Sequence, residues 1–141
     1  MSPQAEDSSI KFKVITTSHS PSNFRYLFNV AYGVGKAGCD RMAADCGHEL
    51  KRSGVAMISL WPGPVKTEFI TDHIKGVENN PMSKVFEKGE TIEFAGKVLA
   101  HLAAESGEAI MARSGRIINT ADVARQYGFA DVDGTVPIDF R

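Results

Sequence analysis

Tyr32 and Lys36 stand four residues apart in the stretch AYGVGKAG, residues 31 to 38. On a helix that spacing puts both side chains on one face, one turn apart. A free phenol titrates near pH ~10 and is a poor base at neutrality, and a neighbouring ammonium favours the phenolate. Such a pair is a candidate proton donor or acceptor. Alone it is weak, because Tyr-x-x-x-Lys often arises by chance as an exposed pair. Its neighbours add weight. Hydroxyl residues Thr16, Thr17, Ser18 and Ser20 close a β-branched run upstream, with Ser20 twelve residues before Tyr32. Downstream, Pro62, Gly63, Val65 and Thr67 follow a second apolar run.

The same stretch contains a competing motif. Gly33, Gly35 and Gly38 have the spacing G-x-G-x-x-G. A dinucleotide fingerprint needs its first glycine at the end of a strand and an acidic residue about 20 places later, closing the next strand. The preceding strand ends near Ser18, and nothing acidic ends VAMISL, so the glycine spacing is read as a decoy.

These residues need elements to position them. IKFKVITTS, residues 10 to 18, reads as a strand. HSPSNFRYLFN reads as a loop, followed by a helix from about Ala31 to Ser53. Its core stripe is Cys39, Ala43, Cys46 and Leu50, with Gly54 as its C-terminal glycine. VAMISLWPG is a second strand, apolar enough to be buried on both faces. In residues 64 to 90, KTEFITDHIK is read as a short helix and VENNPMSKVFEKGE as loop. Thr91 is expected to cap a helix to about Ala104 with the stripe Ala95, Val98, Leu99, Leu102 and Ala103. SGRIINT reads as a third strand. The tail holds a helical turn or two and an Asp133-Gly134 turn. This alternation predicts an α/β fold of about three parallel strands joined by right-handed crossovers, with flanking helices.

The linked set of strand with serine, tyrosine–lysine helix, and strand with Pro-Gly-x-Val-x-Thr resembles the short-chain dehydrogenase/reductase family. FNVAYGVGKAGCDRMAADCGHEL, SLWPGPVKTE and SGRIINTADVARQYGFADVDG carry the resemblance, which covers most of residues 14 to 136. It implies a partial Rossmann-type (doubly wound) fold and an NAD(P)(H)-dependent oxidoreductase that interconverts a small-molecule carbonyl and alcohol. Tyr32 is then the proton donor or base. Lys36 tunes it and meets the nicotinamide ribose. Ser20 holds the substrate oxygen, with Ser18 the alternative and His19 a weaker substitute. Pro62, Gly63 and Val65 line the nicotinamide, and Thr67 touches the cofactor phosphates. Residues 68 to 90 cover the substrate.

The family pattern also includes an N-terminal half with a T-G-x-x-x-G-x-G turn, which this sequence lacks. The expectation is a polar tail at 1–9 and a C-terminal half-domain at 10–141, with little activity and weak NAD(P) affinity when alone. The alternative is an inactive fragment that acts, if at all, by protein association. The helix from Tyr32 to Ser53, with small residues at Ala37, Gly38 and Ala44, is then the candidate homo-oligomer face.

Composition bounds the rest. The 141 residues suit one domain, 43% hydrophobic and 23% charged, with a net charge of −1. No basic excess points to nucleic acid. No apolar run approaches the ~20 residues of a membrane span, and MSPQAEDSSI does not read as a signal peptide. Cys39 and Cys46, seven apart, read as small core residues in a reducing compartment. The expected location is intracellular, cytoplasmic or peripheral to an organelle membrane. His19, His48, His73 and His101 lack ligand spacing, and no metal site is expected.

Overall fold

A computed structural model describes residues 12–17, 29–74 and 81–137. Strand β1 (Phe12–Thr17) is followed by helix α1 (Val30–Glu49), a 3-10 turn (Lys51–Ser53) and β2 (Val55–Trp61). Helices α2 (Glu68–Ile74), α3 (Pro81–Glu87), α4 (Phe94–Ala104) and α5 (Gly107–Arg113) come next, then β3 (Ile117–Asn119) and α6 (Thr120–Tyr127). The three strands form one parallel sheet in the order β1-β2-β3, as the alternation predicts. Phe12 through Thr17 pair with Val55 through Leu60, and Ser59 through Trp61 with Ile117 through Asn119.

Strand β2 is the centre of the molecule, and its period of two sorts its side chains. Ala56, Ile58 and Leu60 point to one face. There they form the core with Phe94, Val98 and Leu102 of α4, Ile110 of α5, and Val123 and Ala124 of α6. Ser59 and Trp61 point to the other face, where both donate to Asp40 of α1. Helices therefore cover both faces, which is why the strand is apolar nearly throughout.

Local chemistry sets the element ends. Asn29 caps α1, its Oδ1 accepting the Tyr32 N–H at 3.0 Å. After the 3-10 turn, Gly54 takes the left-handed conformation, φ 69°. The expected helix to Ser53 thus ends at Glu49 and tightens. Its stripe is narrower than expected: Ala43 is buried, but Cys39, Cys46 and Leu50 are half-buried. Gly47 is buried instead, because a Cβ there would lie 2.4 Å from the Gly115 nitrogen.

Other expectations need correction. VENNPMSKVFEKGE is not all loop, since Pro81 heads helix α3. Its locked φ and missing N–H suit a first helical turn. Thr91 does not cap α4 with its side chain; its hydroxyl and N–H are given to Asp131 at 2.6 and 2.8 Å, and Glu93 is the cap. In α4, Phe94, Val98 and Leu102 are buried while Ala103 is exposed. Helix α5 has no counterpart in the sequence reading. Ser106 caps it and Ile110 anchors it in the core. The third strand is three residues long because Asn119 already caps α6, accepting from the Ala121 N–H at 2.9 Å.

Candidate active site

Parallel strands β1 and β2 are joined through α1, so the helix starts at the C-terminal end of the sheet. Asp40 fixes its height. One carboxylate oxygen, Oδ1, accepts the Ser59 hydroxyl at 2.5 Å and the Trp61 indole N–H at 2.8 Å. Lys36 lies one turn nearer the helix start and Tyr32 two turns, each turn of four residues rising ~6 Å. Past Trp61 the chain gains ~3.3 Å per extended residue. Lys36 and the start of the Pro62–Thr67 segment therefore both lie toward the C-terminal end of the sheet.

Tyr32 and Lys36 share a face, with the Lys36 ammonium 5.6 Å from the centre of the Tyr32 ring. Tyr32 is 42% exposed. Gly33, Gly35 and Gly38 lie inside the helix rather than at a strand-to-helix turn, which removes the phosphate-loop reading. Ser18, His19 and Ser20 lie outside the described residues.

The segment Pro62–Thr67 leaves β2 and is held from beneath by Glu90. Glu90 Oε1 accepts the Gly63 N–H at 2.8 Å and the Thr120 hydroxyl at 2.5 Å. The backbone joins as well: the Glu90 N–H donates to the Pro64 carbonyl at 2.7 Å, and the Lys66 N–H to the Glu90 carbonyl at 2.8 Å. This is a one-residue parallel bridge between Val65 and Glu90. A parallel bridge uses the groups flanking the bridged residue, so the N–H and carbonyl of Val65 itself point away from Glu90. The Val65 carbonyl takes the Thr67 N–H at 2.8 Å. Thr67 Oγ1 accepts the Ile70 N–H at 3.3 Å in the first turn of α2.

The tail braces the same loop. Lys66 pairs with Asp133 at 3.0 Å. Two hydrogen bonds from Thr135 and that ammonium hold the Asp133 carboxyl down to about 2. Asp131 binds Thr91, next to Glu90. The Glu90 carboxyl is pushed up from its ordinary value, first by burial and also by the charge of Asp131, against the pull of the Thr120 and Gly63 bonds.

The structure thus brings Tyr32, Lys36, Pro62, Gly63, Val65 and Thr67 to one end of the sheet. Asp40, Glu90 and Thr120 belong to the same construction and were not singled out from the sequence. Asp40 had a signal, since it continues the Tyr32–Lys36 line by another four residues. Glu90 had none, because its partners are 27 and 30 residues away.

Among the described residues no helix is long and apolar enough to cross a membrane. No group of three His, Cys, Asp or Glu side chains among them is placed to hold a metal.

Fold and site describe one class of protein, an α/β sheet of Rossmann type with a tyrosine–lysine helix beside a Pro-Gly strand end. By sequence the chain is a relative of the short-chain dehydrogenases/reductases. Dehydrogenase/reductase SDR family member 1 of Homo sapiens is 45% identical over 127 residues, covering 86% of this chain and 40% of that protein. Its Mus musculus counterpart is 42% identical over 128 residues, with the same shares. The chain thus spans about 40% of the length of the curated relatives it matches. No family model matches the chain. Among solved structures, a variant actinorhodin polyketide ketoreductase with NADPH shares the fold, with a TM-score of 0.59 at 15% identity over 76% of this chain and 44% of that one.

Proposed function

We propose that the chain is the catalytic, C-terminal half (residues 10–141) of an NAD(P)(H)-dependent short-chain dehydrogenase/reductase that interconverts a carbonyl and an alcohol. One observation carries the reading: Tyr32 and Lys36 share a face of α1 whose height is fixed by Asp40 to the end of β2, where Pro62 and Gly63 begin. The 45% identical relative is named a dehydrogenase/reductase, and a structure of like fold holds NADPH.

The residues present fit the nicotinamide side of such a cofactor. The bonds that shape the loop use the Gly63, Lys66 and Thr67 N–H groups and leave out that of Val65. A backbone N–H turned away from the loop's anchor suits a carboxamide oxygen. When bound, the cofactor supplies or accepts a hydride. Tyr32 delivers a proton to the substrate oxygen in reduction and removes it in oxidation. Lys36, beside the ring, offers ammonium hydrogens to a ribose hydroxyl. Ser20, or Ser18, holds the substrate oxygen where charge develops. Pro62 and Gly63 give a flat wall, and Thr67 reaches toward phosphate. No strand–glycine turn–helix among the described residues supplies a pyrophosphate site.

The test is a fluorescence titration with NADH and NADPH and a ketone-reduction assay. Both use the chain alone and the chain joined to a Gly-rich dinucleotide-binding half. The joined protein should reduce ketones and lose this activity with Tyr32→Phe, while the chain alone binds weakly. Full turnover by the Tyr32→Phe protein refutes the assignment.

A second reading is self-association through the outer face of α1. Val30 and Val34, 69% and 66% exposed, favour it. Sedimentation velocity of wild type and Val34→Asp tests it; a monomer throughout refutes it. The two free cysteines fit an intracellular, reducing location.

A further inference from the structure

Glu90 is buried, 1% exposed, at the junction of three segments. Oε1 ties Gly63 to Thr120, and the Thr120 hydroxyl also lies 3.3 Å from the Trp61 carbonyl. The main chain of Glu90 holds Pro64 and Lys66. Oε2 is buried with no hydrogen-bond partner. The approach is close enough that a Cβ on Gly89 would sit 2.4 Å from the Pro64 carbonyl oxygen. A Cβ on Gly63 would come within 3.0 Å of Glu90 Oε1. An apolar residue could fill this space but could not accept the Gly63 and Thr120 hydrogens.

We propose that Glu90 is the positioning residue of the Pro62–Thr67 loop, a buried carboxyl latch that fixes the backbone shape presented to the nicotinamide. The function of that loop rests on the dehydrogenase/reductase reading; the latch itself rests on the geometry. A carboxylate with one naked buried oxygen is costly, and a proton on Oε2 removes the charge while Oε1 keeps accepting both bonds. The raised titration of Glu90 agrees with this. The charged group facing Glu90 is Asp131, on the segment after α6. The nearby ammonium groups are turned elsewhere, Lys66 to Asp133 and Lys97 to the Ala130 carbonyl. Closed, the latch is a neutral acid. On ionisation Oε2 must reach water, and the loop opens with it.

The experiment follows the backbone amides of Gly63, Lys66 and Glu90 by NMR in the 141-residue chain, for wild type, Glu90→Gln and Glu90→Ala. Glutamine keeps an uncharged acceptor at Oε1, so Glu90→Gln should keep wild-type amide shifts and exchange protection. Glu90→Ala should shift Gly63 and Lys66 and cut their protection about tenfold, the equivalent of a net bond of ~1.4 kcal/mol. In wild type the Gly63 amide should titrate above the ordinary glutamate range, and in Glu90→Gln it should not titrate. If Glu90→Ala proves unfolded, the wild-type titration and its loss in Glu90→Gln still decide the matter. Unchanged loop amides in Glu90→Ala overturn the proposal. So does a Glu90→Gln loop as disturbed as that of Glu90→Ala, or a Gly63 amide that does not titrate in wild type. An NADPH titration of wild type joined to a Gly-rich dinucleotide-binding half separates the two readings: absent binding by the joined protein, with the amides of the chain behaving as stated, refutes the dinucleotide reading and upholds the latch.

Discussion

The first two turns of α1 and the pocket under the Pro62–Thr67 loop are built in opposite ways. Tyr32 is open to solvent, and its contact with Lys36 is local, set by four residues of helix. Glu90 and Thr120 are buried, and every partner they hold comes from a distant segment. The first region carries reactive groups and contributes little to stability, since exposed pairs are worth little. The second carries no reactive group in the proposed chemistry, yet it fixes the backbone against which the chemistry would run. Asp40 joins them, standing on the tyrosine–lysine line and bonded to the strand that becomes the loop. A site of this kind separates what reacts from what positions, and mutations in the two regions should fail differently.

The largest effect expected is on turnover. In a protein that joins this chain to a dinucleotide-binding half, Tyr32→Phe should lower ketone reduction by roughly 10²–10⁴-fold, the range for loss of a positioned acid or base. Cofactor affinity should hardly change, and melting should shift by less than about 0.5 kcal/mol, as for exposed positions. Lys36→Ala should lower both turnover and affinity. Equal losses of affinity in the two variants, by fluorescence titration, would end this division of roles.

Next comes the buried region. Glu90→Ala strands the Gly63 N–H and the Thr120 hydroxyl, at a cost of about 1–3 kcal/mol for unmet buried groups. Urea denaturation reads this. A value near zero would mean that water or a moved side chain replaces the carboxyl.

Asp40→Ala should cost somewhat less, about 1–2 kcal/mol, by removing the acceptor of Ser59 and Trp61. It should also loosen the height of α1, so turnover should fall while Tyr32 and Lys36 remain. Denaturation and the ketone assay together sharpen the comparison: a loss of stability with unchanged turnover would cut the link between the two regions.

Two pH effects are smaller. The folded Glu90 titrates above its unfolded value of 4.5, so the folded state binds the extra proton between the two values. Its contribution is complete below pH 4.5 and is lost as pH rises through the higher folded value. Glu90→Gln should therefore gain stability relative to wild type as pH rises from 4.5 upward, seen in melting temperatures. Asp133 runs the other way. Its carboxyl is lowered from 3.8 to about 2, so the Lys66–Asp133 brace is complete above 3.8 and is lost as pH falls toward 2. The resonances of Lys66 and Thr135 should report this in wild type and fall silent in Asp133→Asn. A brace unchanged at pH 2 would contradict it.

Much was legible because it is local. VAMISLW is apolar throughout because helices cover both faces of β2, and that pattern survives without knowledge of the fold. Tyr32 and Lys36 share a face because helix geometry alone requires it. Gly54 stops a helix because its missing Cβ permits φ 69°. The glycine spacing could be dismissed from the distance between Gly33 and the end of the preceding strand. What misled was local as well. Thr91 looks like a cap until Asp131, 40 residues on, takes its hydroxyl. Pro81 looked like part of a loop although it opens α3.

By itself, then, the sequence determined the parallel α/β alternation, the tyrosine–lysine helix and the Pro-Gly strand end, all set by patterns within one element. Only the tertiary structure decided that Asp40 ties α1 to Ser59 and Trp61 at the end of β2, that Gly47 rather than Leu50 is buried, and that Glu90 bonds the Gly63 N–H. Hydrogen bonds across 19 to 30 residues form only when the chain has closed on itself. No spacing rule encodes them, because the strength of such a bond depends on burial that neither partner carries alone.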